Sequence, residues 1–397
     1  MNFKDKAFQL LLRNRRTNSL GQTYTVPSPE TYPYQWLWDS CFHAIVLAKL
    51  DPEAAISELR TILSHQLDDG MIPHIIFWNT KLSRPYNWGW GKGAITSITQ
   101  PPMVAYAAQA IYHHTRETAF LEELFPRMLS FYKYLIERRD PRDHNLVSII
   151  NPDESGEDNS PRFDIPMHLS TDVSFFKHMY ERHKLVRANR TCNFDEEMCM
   201  KQNFWVKDVP FNVIMIKNLE ILAKLALLVK DQKAHEYAKL HAKLMREAMR
   251  DLMMEDGVFW ATEGENNTHL KVTTWAHFMP LFAELYTPDE AKELIAKHFH
   301  DNDSLRSPFG IRTVSKQESS YRAAGFWRGP IWMAPHWFVY KGLREYGFEA
   351  EAEWILAASL KLMERNGFRE YFNPETGKAY GAHNFTWGTL VLDMMES

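Results

Sequence analysis

Cysteine is scarce in this chain of 397 residues, which contains only Cys41, Cys192 and Cys199. The spacing of the three matches no zinc site, and one must remain unpaired in any monomer, so a disulfide framework is excluded and a reducing compartment is favoured. The N-terminus lacks the apolar segment of a secretory signal. No run approaches the ~18 consecutive apolar residues of a membrane span. These absences predict a cytoplasmic protein without a membrane partner.

Basic runs and several catalytic motifs are also missing. The formal net charge is −4, and no long basic stretch occurs, so nucleic acid is not expected as a partner. The chain has neither a G-x-S-x-G nor an H-E-x-x-H motif. The glycine-rich run at 89–93 lacks the spacing of a phosphate-binding loop and a preceding strand. Serine hydrolase and zinc protease chemistry are therefore disfavoured.

Aromatic residues, in contrast, are abundant. The chain has 13 Trp, 16 Tyr and 24 Phe, and many lie beside polar residues in segments that do not look helical. Aromatic faces combined with convergent polar groups suit the C–H faces and hydroxyl rims of sugars. The composition therefore favours a small sugar as the ligand.

Helical periodicity dominates the sequence. The stretch 52–66 places its apolar residues at i, i+1, i+4, i+7 and i+8, on one face of a helix. Further helices are predicted at 102–115, 118–138, 211–229, 234–253, 289–298, 331–346 and 349–364. About a dozen helices, mostly in pairs and with no linker between them, predict one all-α domain over 1–397. A closed ring of helical hairpins, the (α/α)6 barrel, fits this pattern, with the long loops at one end forming a funnel.

The densest acidic segment is 151–162, where Asp153, Glu154, Glu157 and Asp158 lie within six residues. Prolines and a glycine make a continuous helix through it unfavourable. A solvated turn or a calcium loop is an alternative, although the ligand spacing of the D-x-[DN]-x-[DN]-G loop is absent. Crowded carboxylates raise one another's pKa, which would keep one of them protonated as a general acid.

Glu370 is the second candidate carboxylate. It is flanked by Phe368, Tyr371 and Phe372 at the start of a turn rich in Pro and Gly, so partial desolvation can tune its basicity. The alternative is a glutamate at a helix end, paired with Arg369 at the surface and contributing little.

Several aromatic segments complete the candidate site. In 32–43, four aromatic residues surround Asp39, a short acceptor able to take two sugar hydroxyls. Alternatively, Asp39 is the N-cap of the next helix and its neighbours are core residues. The segment 326–332 also places aromatic residues before a helix. His74 and Gln100 are isolated polar candidates, and His74 could equally be a core residue. The glycines and aromatic residues of 86–92 would permit a lid.

Taken together, four segments resemble glycoside hydrolase family 63, in particular its compact bacterial members related to mannosylglycerate and glucosylglycerate hydrolases. They are 32–43, 154–161, 327–332 and 370–377, in the order of the family, and the resemblance extends over 25–393. It implies an (α/α)6 barrel, hydrolysis with inversion, and a site without metal or other cofactor.

The resemblance also implies roles for individual residues. Asp158 matches the general acid of the family, and Glu370 matches its general base. The positions that match the sugar subsite are Tyr32, Trp36, Trp38, Asp39, His74, Gln100, Gly156, Trp327 and Trp332.

We therefore expect an exo-acting, inverting α-glycosidase, with an α-glucosidase favoured. Asp153 stands where many relatives have Trp, and its charge should repel an anionic aglycone by roughly ~1 kcal/mol, so a neutral aglycone is favoured over glycerate. A glucosylglycerate or mannosylglycerate hydrolase is the first alternative. A sugar epimerase or isomerase, and a carbohydrate-binding protein without activity, are the others. The oligomeric state is left open.

Overall fold

The computed structural model describes residues 2–78, 89–90 and 93–396. Fourteen α-helices occur in this part of the chain. They are α1 Phe3–Asn14, α2 Leu37–Leu47, α3 Pro52–Leu63, α4 Val104–Thr115, α5 Ala119–Arg138, α6 Phe175–Thr191, α7 Glu196–Gln202, α8 Val209–Leu228, α9 Gln232–Met253, α10 Met279–Phe282, α11 Pro288–Leu294, α12 Met333–Glu345, α13 Glu349–Asn366 and α14 Leu390–Met395.

Six helices form a closed inner ring. Helix α2 packs on α4, α4 on α8, α8 on α10, α10 on α12, α12 on α14, and α14 returns to α2. Helices α3, α5, α9, α11 and α13 each follow an inner helix along the chain, and α1 packs on α14. The twelve helices therefore make the predicted all-α (α/α)6 barrel.

Burial explains which helices lie inside. All eleven residues of α2 and fifteen of the twenty in α8 are buried, because these helices are apolar around most of their circumference. The outer helix α9 buries seven of its 22 residues, and these form one stripe. Its other faces carry charges to solvent. The pattern of hydrophobic residues thus determines which helices form the inner ring and which form the outer ring.

Helices α6 and α7 stand outside the ring, between α5 and α8. Helix α6 buries only three of its 17 residues, and its side chains Phe175, Phe176 and Tyr180 are exposed. Its sequence carries no strong amphipathic pattern, and the periodicity did not predict it. This insertion matters because α6 carries Arg182 to the candidate site.

The strands are short and lie in the loops. They are β1 Arg15–Thr17, β2 Thr23–Thr25, β3 Gln35–Trp36, β4 Ile75–Ile76, β5 Val206–Lys207, β6 Met254–Glu255, β7 Val258–Phe259, β8 Ala261–Glu263, β9 Thr268–Leu270, β10 Arg306–Ser307, β11 Gly310–Ile311, β12 Ile331–Trp332, β13 Arg369–Phe372 and β14 Ala379–His383. The order β12-β13-β14 forms one three-stranded antiparallel sheet.

Two local predictions need correction at this sheet. The predicted helix at 331–346 begins only at Met333, because Ile331 and Trp332 pair with Phe372 and Tyr371 instead. Glu370 lies in β13 and not at the start of a turn. Strand pairing between segments far apart in sequence overrides the local pattern here.

Among the described residues, none of the helices has the length and apolar character needed to span a bilayer.

Candidate active site

One cleft of about 580 Å³, counted to its open mouth, gathers ten of the eleven predicted site residues. They are Tyr32, Trp36, Trp38, Asp39, Gln100, Gly156, Asp158, Trp327, Trp332 and Glu370. The cleft also holds residues that the sequence did not single out as sugar contacts, namely Pro27, Asp153, Arg182, Phe326, Phe385 and Trp387. Its lining combines tryptophan rings with a few convergent polar groups, which suits a sugar ligand.

His74 is the exception. It is fully buried, with its ring centroid 5.5 Å from that of Trp36 and 5.1 Å from that of Trp90. Burial lowers its pKa to about 3, so the ring is neutral. The structure thus places His74 behind Trp36, where it supports that wall of the cleft.

Two of the four carboxylates in the acidic loop are turned away from the cleft. Glu154 accepts two hydrogen bonds from Arg139, at 2.9 and 2.7 Å, and Glu157 accepts two from Arg162, at 3.2 and 2.9 Å. All four side chains are buried. Trp275 also donates to Glu157 at 2.8 Å. These pairs anchor the loop to the barrel and leave the other two carboxylates for the cleft.

Asp153 and Asp158 are those two, and both form ion pairs with Arg182 of α6. Burial is the largest influence on Asp158 and raises its pKa to about 6, against the attraction of Arg182 and with added repulsion from Asp153. The predicted mutual repulsion of carboxylates is therefore present but second to desolvation. A carboxyl with this pKa can hold a proton near neutral pH, as a general acid must.

Glu154→Gln is expected to lower the free energy of unfolding by about 3–5 kcal/mol, because it leaves Arg139 buried without its counter-charge. The measurement is urea denaturation at neutral pH. Glu123→Gln is the matched control, since Glu123 pairs with Arg60 at the exposed surface and should cost less than about 1 kcal/mol. Equal losses in the two variants would contradict the anchoring role of Glu154.

Glu370 is held by two donors. The Tyr32 hydroxyl donates to its Oε1 at 2.6 Å, and the Ala382 amide donates to its Oε2 at 2.6 Å. Burial raises the pKa of Glu370, whereas these two hydrogen bonds lower it and the nearby charge of Asp158 raises it. Gly381 makes room for this arrangement, because an added Cβ there would overlap the Glu370 carboxylate. A buried, oriented carboxylate is suited to act as a base.

Tyr32→Phe removes a donor that stabilises the ionised form of Glu370, so the pKa of Glu370 should rise. If ionised Glu370 is the base, activity requires its deprotonated form. The acidic limb of the kcat/KM profile should therefore move to higher pH. Tyr112→Phe, on α4 and outside the cleft lining, is the control. If the acidic limb does not move in Tyr32→Phe, Tyr32 does not affect the pKa of the catalytic base.

Asp39 lies in the first turn of α2, whose N-cap is Trp36, so the N-cap alternative for Asp39 is wrong. Trp387 donates from its indole Nε1 to Asp39 Oδ1 at 2.6 Å. Burial raises the pKa of Asp39 to about 7, while this hydrogen bond lowers it. Asp39 is also one of the residues that line the cleft.

Stacked aromatic rings form one wall. The rings of Trp327 and Trp332 stack with centroids 4.1 Å apart and an interplanar angle of 5°, and Trp332 stacks on Tyr371 at 5.0 Å. Asn159 links this wall to the acidic loop, since its Oδ1 accepts from the Trp327 amide at 2.9 Å. Gly156 has φ +74°, and a Cβ there would overlap the ring of Trp38, which also lines the cleft. The walls are therefore rigid and apolar, as a pyranose face requires.

Sequence reasoning missed Arg182 and Trp387 as site residues. Arg182 lies in a highly charged helix without a motif, and nothing local marks it. Trp387 lies in the 3-10 helix Thr386–Thr389, and its neighbour Phe385 was its only local signal. The possible lid at 86–92 falls outside the described residues except for Gly89 and Trp90. The described part of the chain has no cluster of three or more His, Cys, Asp or Glu side chains that could hold a metal ion.

A helical toroid whose tryptophan-lined cleft contains two carboxylates is an arrangement that a glycoside hydrolase can use. The sequence model of the mannosylglycerate hydrolase MGH1-like glycoside hydrolase domain matches residues 32–388. The chain therefore belongs to this family, within glycoside hydrolase family 63, and it is an α-glycosidase.

Individual relatives cover nearly the whole chain. The mannosylglycerate hydrolase of Thermus thermophilus is 33% identical over 97% of this chain and 98% of its own length. The glucosylglycerate hydrolase of Mycolicibacterium hassiacum is 27% identical over 96% of this chain and 95% of its own length. The crystal structure of a mannosylglycerate hydrolase from Thermus thermophilus with Tris and D-glycerate superposes with a TM-score of 0.89 at 31% identity, covering all of both chains.

Proposed function

We propose that this protein hydrolyses an α-linked hexosylglycerate with inversion at the anomeric carbon. The relatives similar over their full length are hydrolases of mannosylglycerate or glucosylglycerate, and they support this substrate over a neutral α-glucoside. We therefore favour the first alternative, a glucosylglycerate or mannosylglycerate hydrolase, over an α-glucosidase that acts on substrates with a neutral aglycone.

Arg182 is the observation that carries the proposal. The neutral aglycone was expected because Asp153 would repel glycerate, but the charge of Asp153 is balanced by its ion pair with Arg182. Among the described residues that line the cleft, Arg182 is the one Lys or Arg side chain. A guanidinium binds a carboxylate through two parallel N–H donors, which gives both strength and orientation. Arg182 pairs with both Asp153 and Asp158, so it can bind an anionic aglycone where that anion takes the place of one of these two partners.

The reaction is a single displacement. Asp158 donates a proton to the glycosidic oxygen as the bond from that oxygen to the anomeric carbon breaks. Glu370 takes a proton from a water whose oxygen bonds to the opposite face of the same carbon. Such a pair of carboxyl groups needs about 6.5–9.5 Å between them for the water. Asp39 accepts hydroxyl protons of the hexose, and Trp327 and Trp332 pack against the ring.

The test is incubation with α-mannosylglycerate, α-glucosylglycerate and a panel of neutral α-disaccharides, with proton NMR recording the first anomer released. Release of a β-hexose from a hexosylglycerate supports the proposal, and the faster of the two substrates identifies the hexose. Release of an α-hexose would overturn inversion. Turnover confined to neutral disaccharides would restore the α-glucosidase, and sugar binding without any hydrolysis would favour a binding protein.

The three cysteines are buried and free of disulfides. A cytoplasmic location, where hexosylglycerates would be reached in a reducing environment, is part of this proposal.

A further inference from the structure

The guanidinium group of Arg182 contacts two carboxylates. Its Nε and Nη2 atoms donate to Asp153, the former at 3.3 Å, and its Nη1 atom pairs with Asp158 Oδ2. The three side chains are each only 13–20% exposed. Asp153 therefore binds the edge of the guanidinium formed by Nε and Nη2. Asp158, the proposed general acid, binds Nη1.

This contact conflicts with acid catalysis. An aspartate that accepts from a guanidinium is stabilised as the carboxylate, whereas a general acid must carry a proton when the glycosidic bond breaks. Asp153, in the turn Pro152–Ser155, raises the pKa of Asp158 by repulsion, and Asp158 acts in the same way on Glu370 in β13. Arg182 is therefore the charged group that lowers the pKa of Asp158, against the burial that raises it.

We propose that the carboxylate of the substrate's glycerate takes the Nη1 end of Arg182 away from Asp158, so that binding of an anionic aglycone favours the protonated form of Asp158. Arg182 is then a positioning residue that determines specificity through the proton on Asp158. This inference rests on the proposed function and goes beyond a simple carboxylate-binding role for Arg182.

The protons balance over one turnover. Substrate binding breaks the Arg182–Asp158 pair, and Asp158 takes one proton from solvent. That proton passes to the glycerate oxygen as the bond to the anomeric carbon breaks. Glu370 accepts one proton from the attacking water and releases it to solvent after the hexose leaves. Departure of the glycerate anion lets Arg182 pair with ionised Asp158 again.

Titration calorimetry with D-glycerate tests this without catalysis. At pH 7.5, binding measured in buffers of different ionisation enthalpy should show uptake of close to one proton per site. Asp158→Asn should still bind D-glycerate but show no uptake, and Arg182→Gln should lose the binding. Arg187→Gln, at an exposed position of the same helix, is the matched control and should behave like the wild type.

Several results would overturn the inference. They are binding without proton uptake, uptake that persists in Asp158→Asn, and failure of the wild type to bind D-glycerate. Circular dichroism of each variant excludes loss of fold as the cause of a missing signal. The proposed function fails separately, by absence of hexose release in the NMR assay.

Steady-state kinetics provide an independent test. They compare kcat for hexosylglycerate with kcat for hexosylglycerol, its neutral isostere. The wild type should turn over hexosylglycerol with a kcat lower by about tenfold or more, since one pKa unit of lost protonation corresponds to tenfold. In Arg182→Gln the kcat for hexosylglycerol should rise, and the preference between the two should largely disappear. A fall in kcat by the same factor for both substrates would show a merely structural role for Arg182.

Discussion

Glu370→Gln should lower kcat for the preferred α-hexoside on the order of 10²–10⁴-fold, with little change in KM or in the melting temperature. The amide retains the shape of Glu370 and can still bond to Tyr32 and Ala382, but it cannot accept a proton from the attacking water. Steady-state kinetics and a thermal unfolding scan measure the two effects separately.

Azide makes the test of Glu370 sharper, because it is a nucleophile that needs no base. Added azide should restore turnover in Glu370→Gln and yield the β-hexosyl azide from the α-linked substrate. Glu364→Gln, exposed near the end of α13, is the control and should retain the wild-type rate. If Glu370→Gln keeps a rate close to that of the wild type, another group is the base.

Asp158→Asn should have an effect that depends on the leaving group. With a hexosylglycerate, whose alkoxide leaves poorly, kcat should fall on the order of 10²–10⁴-fold, because no proton is supplied to the glycosidic oxygen. With a 4-nitrophenyl α-hexoside, whose phenolate leaves without protonation, the loss should be much smaller. Parallel kinetics on the two substrates measure the difference.

The control for Asp158→Asn is Asp172→Asn, an exposed position before α6 that should leave both rates unchanged. Equal losses of Asp158→Asn on the two substrates would mean that Asp158 shapes the cleft and does not donate the proton. The basic limb of the pH profile gives a second check. In the wild type, kcat/KM should fall above a pKa of about 6, because only protonated Asp158 is active.

Periodicity and motif order predicted much of this molecule. The helical pairs followed from apolar residues at helical spacing, because each stripe must be buried against another helix. The positions of Asp158 and Glu370 followed from four motifs in a family order. Helix α6 could not be predicted in this way, since it stands outside the ring and packs few apolar residues.

The tertiary structure adds the partner of each carboxylate in the acidic loop. By residue type alone the four acidic residues of 151–162 are equivalent, and only the family motif singles out Asp158. In the folded chain, Arg139 and Arg162 pair with Glu154 and Glu157, and Asp153 and Asp158 remain at the cleft.

The environment of each reacting group likewise comes from distant segments. Tyr32 is 338 residues from Glu370, Asp39 is 348 from Trp387, and Arg182 reaches the acidic loop from an inserted helix. The sequence by itself determined the helical ring and identified carboxylates as the candidate acid and base, because spacing and residue type are local properties. Burial, charge balance and the pKa of Asp158 depend on partners that only the closed barrel brings together.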